Sequence, residues 1–171
     1  MILARAANHK SRPTEIPIMK IKSYPKIAFI AAAVFSLAHG SQNTAPRTIL
    51  ITANDNMKYS LTHIDAHPGE TLHVQFRNEG TLPKDVMAHN WVLLKAGKDA
   101  NAYAAAALQA KDQDYQPKAL AADVLASIPL QGAHREGEVT FEVPAMPGKY
   151  TYLCSFPAHC QIGMRGELIV K

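Results

Sequence analysis

The sequence predicts an all-β protein, an antiparallel sandwich or barrel of short strands that is interrupted once by a helical insertion. Three observations predict this class: apolar and polar residues alternate with period two in several segments, turn-forming residues separate these segments, and one alanine-rich stretch breaks the alternation. A period of two places apolar side chains on one face of a strand and polar side chains on the other. Antiparallel sheets with one buried face require that pattern.

The alternation is clearest at residues 71–77, where Leu72, Val74 and Phe76 are separated by polar residues, and at residues 138–143. Turns rich in proline, glycine and asparagine follow or precede these segments. About seven short strands bounded in this way are typical of a sandwich or barrel. The less regular strands are predicted at residues 48–53, 59–64, 90–95, 149–154 and 167–170.

A helical insertion is predicted over residues 98–127. Its first part is rich in alanine, the best helix former, and Asp99 precedes it as an N-cap residue. Pro117 is expected to begin a second short helix that continues to Ala126. We expect the insertion to pack as a flap over one end of the sandwich.

The N-terminal region differs from the rest of the chain. Three lysines precede an apolar run over residues 27–38, and a small residue, Gly40, follows it. This arrangement predicts a signal peptide over residues 1–40, with Met19 as an alternative start. A retained membrane anchor is the competing interpretation, but a dozen apolar residues fall short of the roughly 20 that a spanning helix needs.

The charge of the chain is concentrated in this N-terminal region. Six of the 18 basic residues and one of the 14 acidic residues precede residue 41, so the remaining 131 residues carry 12 basic and 13 acidic side chains. A balance of this kind gives no support to nucleic-acid binding, which needs a basic surface on the domain itself. The length suits a single domain, predicted over residues 41–171.

Side chains that bind metals are concentrated near the C-terminus. Cys154 ends a predicted strand, His159 follows five residues later, and Met164 follows after five more. Because all three lie on one loop between neighbouring strands, they can converge on one ion. His89, at the start of a buried strand, is predicted to supply a second imidazole. Two histidines, one cysteine and a distant methionine form the ligand set of blue-copper electron-transfer sites.

Two segments resemble the azurin and auracyanin branch of the cupredoxins, which are blue copper proteins. Residues 82–93, LPKDVMAHNWVL, are similar to the azurin segment that carries the first histidine ligand. Residues 152–168 are similar to the loop that carries the other ligands, and residues 54–57, NDNM, give a weaker match. The resemblance spans residues 47–171, which is nearly all of the predicted domain.

The resemblance implies an eight-stranded Greek-key sandwich that binds one copper ion, Cu(I) or Cu(II). It implies that His89, Cys154 and His159 bind the ion in a plane. Met164 is then the long axial ligand, and the backbone oxygen of Ala88 makes a weak contact on the opposite side. Two positions depart from azurin: four residues separate His159 from Met164, as in auracyanins, whereas azurin has three, and Ala88 replaces a glycine.

Residues beside the ligands also match. Asn90 and Ser155 correspond to positions whose hydrogen bonds tie the two ligand segments together in azurin, which fixes ligand orientation. His159 lies in the middle of its loop, whereas His89 leads into an apolar strand. We therefore expect the edge of the His159 ring to lie closest to solvent. By resemblance, an apolar patch where redox proteins dock transiently would surround it, formed by Met57, Met87, Phe156, Pro157 and Ala158.

The expected function is that of an electron carrier rather than an enzyme, because four protein ligands leave no open metal position for a substrate. We expect a monomer, exported to the periplasm or secreted, that passes single electrons between redox partners. The alternative function is copper trafficking or storage, which uses similar soft ligands but exchanges the metal.

The role of the second cysteine, Cys160, is open. A zinc site of Cys154, Cys160, His89 and His159 would satisfy the preference of zinc for four nitrogen and sulfur ligands. However, the adjacent side chains at positions 159 and 160 point apart in an extended chain. A disulfide between Cys154 and Cys160 could form in an oxidising compartment. We expect Cys160 to be a free thiol beside the metal site.

Overall fold

The computed structural model describes residues 45–171, which fold into two packed β-sheets with eight strands in total and one helical insertion. The signal peptide predicted over residues 1–40 lies outside these residues. The strands are β1 (Arg47–Ala53), β2 (His63–Ala66), β3 (Thr71–Asn78), β4 (His89–Leu94), β5 (Val124–Gln131), β6 (Glu136–Glu142), β7 (Gly148–Leu153) and β8 (Arg165–Val170).

The two sheets contain three and five strands. Their orders are β1-β3-β6 and β2-β8-β7-β4-β5. Most neighbouring strands are antiparallel, but β1 runs parallel to β3 and β2 runs parallel to β8. The predicted class, an all-β Greek-key sandwich, is confirmed. The sheets were predicted to be antiparallel, and this part of the prediction is wrong, because each sheet contains one parallel pair of strands.

The hydrophobic core lies between the sheets, where alternate side chains of each strand meet. Leu72, Val74 and Phe76 of β3 are fully buried, as the alternation predicted. They share one cluster with Trp91 and Tyr152 of the opposite sheet, whose rings lie 5.5 Å apart between centroids. Full burial of a large apolar side chain stabilises the fold by about 1.5–3 kcal/mol. This core therefore provides a rigid support for the loops at its end.

Strand β4 is buried along its whole length, because both of its faces are covered. One face, with Trp91 and Leu93, belongs to the core of the sandwich. The other face, with Val92 and Leu94, packs against the helix α1 (Ala100–Ala107) in a second apolar cluster. His89, the first residue of this strand, is therefore carried by a segment that is packed on both faces.

The helical insertion is present, and its end differs from the prediction. Asp99 caps α1 as expected, because its carboxylate accepts hydrogen bonds from two backbone amides of the first turn. The second helix predicted after Pro117 is a 3-10 helix over Lys118–Asp123. Strand β5 then begins at Val124, whereas the insertion was predicted to extend to residue 127. Within the described part of the chain, no helix has the length and apolar character needed to cross a membrane.

The second strand is also shifted from its predicted position at residues 59–64. Tyr59 makes only a single bridge to Ala53, and β2 begins at His63. The side chain of Tyr59 is instead part of the core, and its hydroxyl donates a hydrogen bond of 2.5 Å to the backbone oxygen of Asn90. Tyr59 therefore connects the segment after β1 to the start of β4.

Candidate metal centre

Three of the predicted ligands converge at one end of the sandwich. His89 is the first residue of β4, Cys154 directly follows β7, and His159 lies in the loop between β7 and β8. One ligand atom from each residue lies within 4.8 Å of the others. The two Nδ1 atoms are 3.2 Å apart, and the Cys154 sulfur lies 3.4 Å from His159 Nδ1 and 4.0 Å from His89 Nδ1.

These separations fit a shared metal ion. With bonds of about 2.0–2.3 Å, a trigonal first-row ion separates its nitrogen and sulfur ligands by about 3.5–3.8 Å. The three measured distances bracket this range. Two imidazoles and a thiolate in a triangle form the donor set that selects copper of the blue type. The residues present therefore fit the group that the sequence implied.

The site is buried, and burial sets its protonation state. His89 and Cys154 have no exposed surface and His159 retains 2%. Burial raises the pKa of the Cys154 thiol to about 12. Burial, together with repulsion from His89, lowers the pKa of His159 to about 4, and burial also lowers the pKa of His89. Copper-free, the site therefore holds neutral imidazoles and a protonated thiol, and a metal ion that bound Cys154 would have to displace the thiol proton.

Met164, the predicted axial ligand, is fully buried in the same apolar cluster as Cys154. Its backbone closes the ligand loop: the Met164 amide donates to the carbonyl of His159 at 2.9 Å, and its carbonyl accepts from the amide of Cys154 at 3.0 Å. The loop thus has a fixed shape in which the three residues are tied together. Ala88, whose backbone oxygen was expected near the ion, is also fully buried.

The predicted contact between the two ligand segments is present. The Asn90 amide nitrogen donates to the Ser155 hydroxyl at 2.8 Å, and the Ser155 backbone amide donates to the Asn90 side-chain oxygen at 2.8 Å. The Ser155 hydroxyl in turn donates to the backbone oxygen of Tyr115 in the insertion. The backbone amides of Asn90 and Phe156 also lower the pKa of the Cys154 thiol, against the larger effect of burial. This network holds the residues beside both loops in place.

Two participants in this network were not predicted. Tyr59 and Tyr115 reach it through a side-chain hydroxyl and a backbone carbonyl, respectively. Every residue has a backbone carbonyl, so the sequence does not single out that of Tyr115. Tyr59 was interpreted only as a strand residue. No feature of the sequence could have assigned either contact.

Cys160 points away from the three converging ligands. It packs against α1 in the second apolar cluster with Val92, Leu94 and Tyr103, and its thiol lies 3.7 Å from the backbone oxygen of Ala100. Both cysteines are free, so the disulfide between them is not formed, and Cys160 is a free thiol as expected. Cys160 does not join the group of His89, Cys154 and His159, so the four-ligand zinc alternative is not formed.

The five residues predicted to surround His159 differ in their exposure. Ala158 is exposed, whereas Met57, Met87 and Pro157 are half-buried. Phe156 is nearly buried, and its ring centroid lies 4.9 Å from that of His159. The loops that carry the ligands also expose three large apolar side chains that the sequence analysis did not single out, which are Leu82, Val86 and Ile162.

The fold and the site together define a class: a β-sandwich protein with a buried centre of two histidines and one cysteine for a single metal ion. Residues 47–171 match the family described as copper binding proteins, plastocyanin/azurin family. The chain belongs to this family, and copper is its cofactor.

Individual relatives agree with this assignment. Auracyanin-B of Chloroflexus aurantiacus is 34% identical over 69% of this chain, although the match spans only 49% of that relative. Azurin of Pseudomonas aeruginosa is 30% identical over 82% of this chain and 96% of its own length. The crystal structure of dithionite-reduced auracyanin from Roseiflexus castenholzii superposes with a TM-score of 0.66 at 32% identity, covering 75% of this chain and 99% of that one.

Proposed function

We propose that this protein is a single-electron carrier in which His89, Cys154 and His159 hold one copper ion and Met164 is a weak axial ligand. The observation that carries the proposal is the convergence of two Nδ1 atoms and one sulfur atom in a buried triangle. When bound, copper supplies a one-electron exchange between Cu(II) and Cu(I). Four protein ligands leave no metal position for a substrate, which favours a carrier over an enzyme.

The surroundings support this function. The hydrogen bonds between Asn90 and Ser155 restrain the two ligand segments, so the ligands can keep similar positions in both oxidation states. A centre of two neutral histidines and one thiolate carries a formal charge of about +1 when oxidised and 0 when reduced. Because burial penalises the charged form, this site favours Cu(I) and hence a high reduction potential.

The test is the visible spectrum of the protein loaded with Cu(II). We expect an intense blue absorption band, because a copper–thiolate bond produces it, and we expect Cys154→Ser to abolish it while the fold is retained. The matched control is Cys160→Ser, which should remain blue. Blue absorbance that persists in Cys154→Ser would overturn the assignment of the ligands.

Copper trafficking or storage is the second candidate function, favoured only by the soft ligand set. The two functions differ in whether the metal stays bound. A carrier should keep its copper through repeated cycles of reduction and oxidation in the presence of a competing chelator. Release of Cu(I) to the chelator within the first cycles would favour trafficking.

We also propose that redox partners dock at the apolar patch around His159. Of the two ligand histidines, His159 alone retains exposed surface, and Leu82, Val86 and Ile162 are exposed on the segments that carry the ligands. Small exposed apolar patches often mark docking sites, and redox encounters use small interfaces that separate quickly.

A charge placed in this patch tests the docking proposal. Met87→Glu or Ala158→Lys should slow electron self-exchange, because two copies would meet with like charges face to face. The slowing should ease with salt, since exposed charges are screened over about 10 Å at 0.1 M ionic strength. Met146→Glu, a substitution at an exposed methionine outside the patch, is the control. Self-exchange equal to that of the parent protein at low salt would exclude the patch as the contact surface.

We further propose that the protein is exported to the periplasm or secreted, and that its mature form is a monomer beginning at Ser41. The apolar run over residues 27–38 and the small residue at Gly40 support export and cleavage before Ser41. Mass spectrometry of the exported protein should give the mass of residues 41–171. Material that retains the apolar run and remains in the membrane would contradict it.

A further inference from the structure

The helical insertion contacts the loop between β7 and β8 through Tyr115. The backbone oxygen of Tyr115 accepts a hydrogen bond of 2.6 Å from the Ser155 hydroxyl. The ring of Tyr115 packs edge-on against Phe156, with ring centroids 5.3 Å apart and planes inclined by 68°. Ser155 and Phe156 are the two residues that follow Cys154. Tyr115 therefore holds this segment both by its backbone and by its side chain.

Phe156 in turn contacts a predicted copper ligand. Its ring centroid lies 4.9 Å from that of His159, and the two planes are inclined by 43°. Tyr115, Phe156 and His159 thus form a continuous series of three packed rings. An aromatic pair in such a geometry contributes about 0.5–1.5 kcal/mol beyond the burial of its area. The orientation of the His159 ring therefore depends on Phe156, and that of Phe156 depends on Tyr115.

The backbone at Tyr115 is strained. Asp114 and Tyr115 follow the 3-10 helix at Lys111–Gln113, and their φ angles of 51° and 58° lie in the left-handed region. This region is unfavourable for a bulky residue, at a cost on the order of 1–3 kcal/mol. Such strain persists only where the surrounding contacts compensate for it. The contacts of the Tyr115 ring and carbonyl with the ligand loop supply that compensation.

A surface cleft of about 330 Å³ borders the series of rings. Tyr115, Phe156, Leu130 and Lys84 are among the residues that line it, and His159 is not. Because the ring of His159 packs against Phe156, Phe156 lies between the cleft and His159, with Tyr115 beside it. The two aromatic rings therefore separate the solvent in the cleft from the His159 imidazole.

We propose that Tyr115 is a positioning residue of the copper centre. Its ring keeps Phe156 against His159, which fixes the plane of the imidazole and excludes water from that side. Its carbonyl restrains Ser155, the residue next to Cys154. The insertion, which was expected only to cover one end of the sandwich, thereby takes part in the metal site. This proposal rests on the ligation of copper by His159 that is proposed above.

The positioning role is tested by NMR of the copper-free protein. Tyr115→Asn removes the ring and suits the left-handed conformation, whereas Tyr115→Phe keeps the ring. In Tyr115→Asn we expect the ring signals of His159 to shift and the Phe156 ring to flip several-fold faster. In Tyr115→Phe both should match the parent. Unchanged His159 signals and Phe156 flip rates in Tyr115→Asn would overturn the positioning role.

The matched control is Tyr103→Leu, at the other tyrosine of the insertion. Tyr103 packs against β4 in the second apolar cluster, so its loss should destabilise the insertion but leave the flip rate of Phe156 as in the parent. Equal changes in Tyr103→Leu and Tyr115→Asn would overturn a specific role for Tyr115. Where Tyr115→Asn fails to fold, Tyr115→Gly replaces it with the same expected results, because glycine adopts the left-handed conformation freely.

The exclusion of water is tested by voltammetry of the copper protein. Water that reaches His159 stabilises the more highly charged, oxidised centre. We therefore expect Tyr115→Asn to lower the reduction potential, equivalent to a roughly twofold to tenfold fall in the ratio of Cu(I) to Cu(II) affinity. Tyr115→Phe and Tyr103→Leu should keep the potential of the parent. A potential in Tyr115→Asn equal to that of the parent would overturn this role.

These results are separable from the proposed function. If His159 and Cys154 do not bind copper, the parent protein never becomes blue or Cys154→Ser stays blue. The NMR signals of the copper-free protein still report whether Tyr115 fixes the His159 ring.

Discussion

At the scale of single residues, Met164 combines a rigid backbone with a weak proposed bond to the metal. Its amide and carbonyl are both engaged within the ligand loop, and its side chain is fully buried. Position 164 is therefore fixed by the loop and does not depend on copper for its placement. A weak axial ligand tunes the reduction potential more than it holds the ion.

We expect Met164→Leu to leave the protein blue and to raise its reduction potential, because the thioether stabilises Cu(II) and leucine does not. Voltammetry of the parent and the variant measures the shift. Met146→Leu, at an exposed methionine, should leave the potential unchanged. Loss of copper binding in Met164→Leu would show that Met164 contributes more than an axial contact.

The side chain of Asn90 joins the two ligand segments through two hydrogen bonds to Ser155. We expect Asn90→Ala to destabilise the copper-free protein by about 1–3 kcal/mol, because the buried amide and hydroxyl of Ser155 would each lose a partner. Urea denaturation measures the loss. Asn56→Ala, in an exposed turn, should change the free energy of unfolding little, and equal losses in the two variants would contradict a special role for Asn90.

The sequence predicted the convergence of His89, Cys154 and His159 because their residue types are rare and their spacing is distinctive. It did not predict the contacts that Asp55 and Tyr59 make in the structure. Their contacts join segments that are distant in sequence, Asp55 to Thr81 and Tyr59 to Asn90. Such contacts depend on the packing of the whole fold, and neither a carboxylate in a turn nor an aromatic in a core is unusual.

At the scale of secondary structure, regular alternation identified β3 and β6 almost to their ends, whereas β5 was missed. The sequence of β5, VLASIPLQ, includes Pro129, which argues against a strand in general. The structure resolves this conflict because β5 is an edge strand, paired only with β4. The parallel pairings could not be predicted either, since parallel and antiparallel strands share the same period of two.

The helix α1 covers β4 through a layer of small and apolar side chains that includes Cys160. We expect Cys160→Ala to keep the blue absorption band, because the thiol faces α1 and not the metal ligands. The variant should lose about 1 kcal/mol of stability through the small cavity left at a buried position. Absorption spectra and thermal unfolding test both expectations, and a loss of the blue band would contradict the placement of Cys160.

At the scale of the whole molecule, buried neutral histidines make the stability of the copper-free protein depend on pH. The pKa of His159 falls from its ordinary value of 6.5 to about 4, and that of His89 also falls. Between these values the unfolded chain binds more protons than the folded chain, so stability decreases as the pH falls from 6.5 towards 4.

This dependence is tested by urea denaturation of the copper-free protein across that range. His159→Gln should show a shallower decrease than the parent, whereas His134→Gln, at an exposed histidine, should match the parent. Carboxylates contribute equally in all three proteins, so the difference isolates His159. Identical slopes in the parent and His159→Gln would show that His159 is not held neutral by the fold.

The parallel pairing of β2 with β8 has a consequence for how the protein folds. Residues His63–Ala66 pair with Glu167–Val170, so a loop of about a hundred residues must close before these strands can meet. Contacts of such long range slow folding. The loop with His159 and Met164 lies immediately before β8, so this loop is locked only when the last strand of the chain docks. We therefore expect a chain in which β8 has not yet docked to lack the converged set of ligands, so that copper binds after the sandwich has closed.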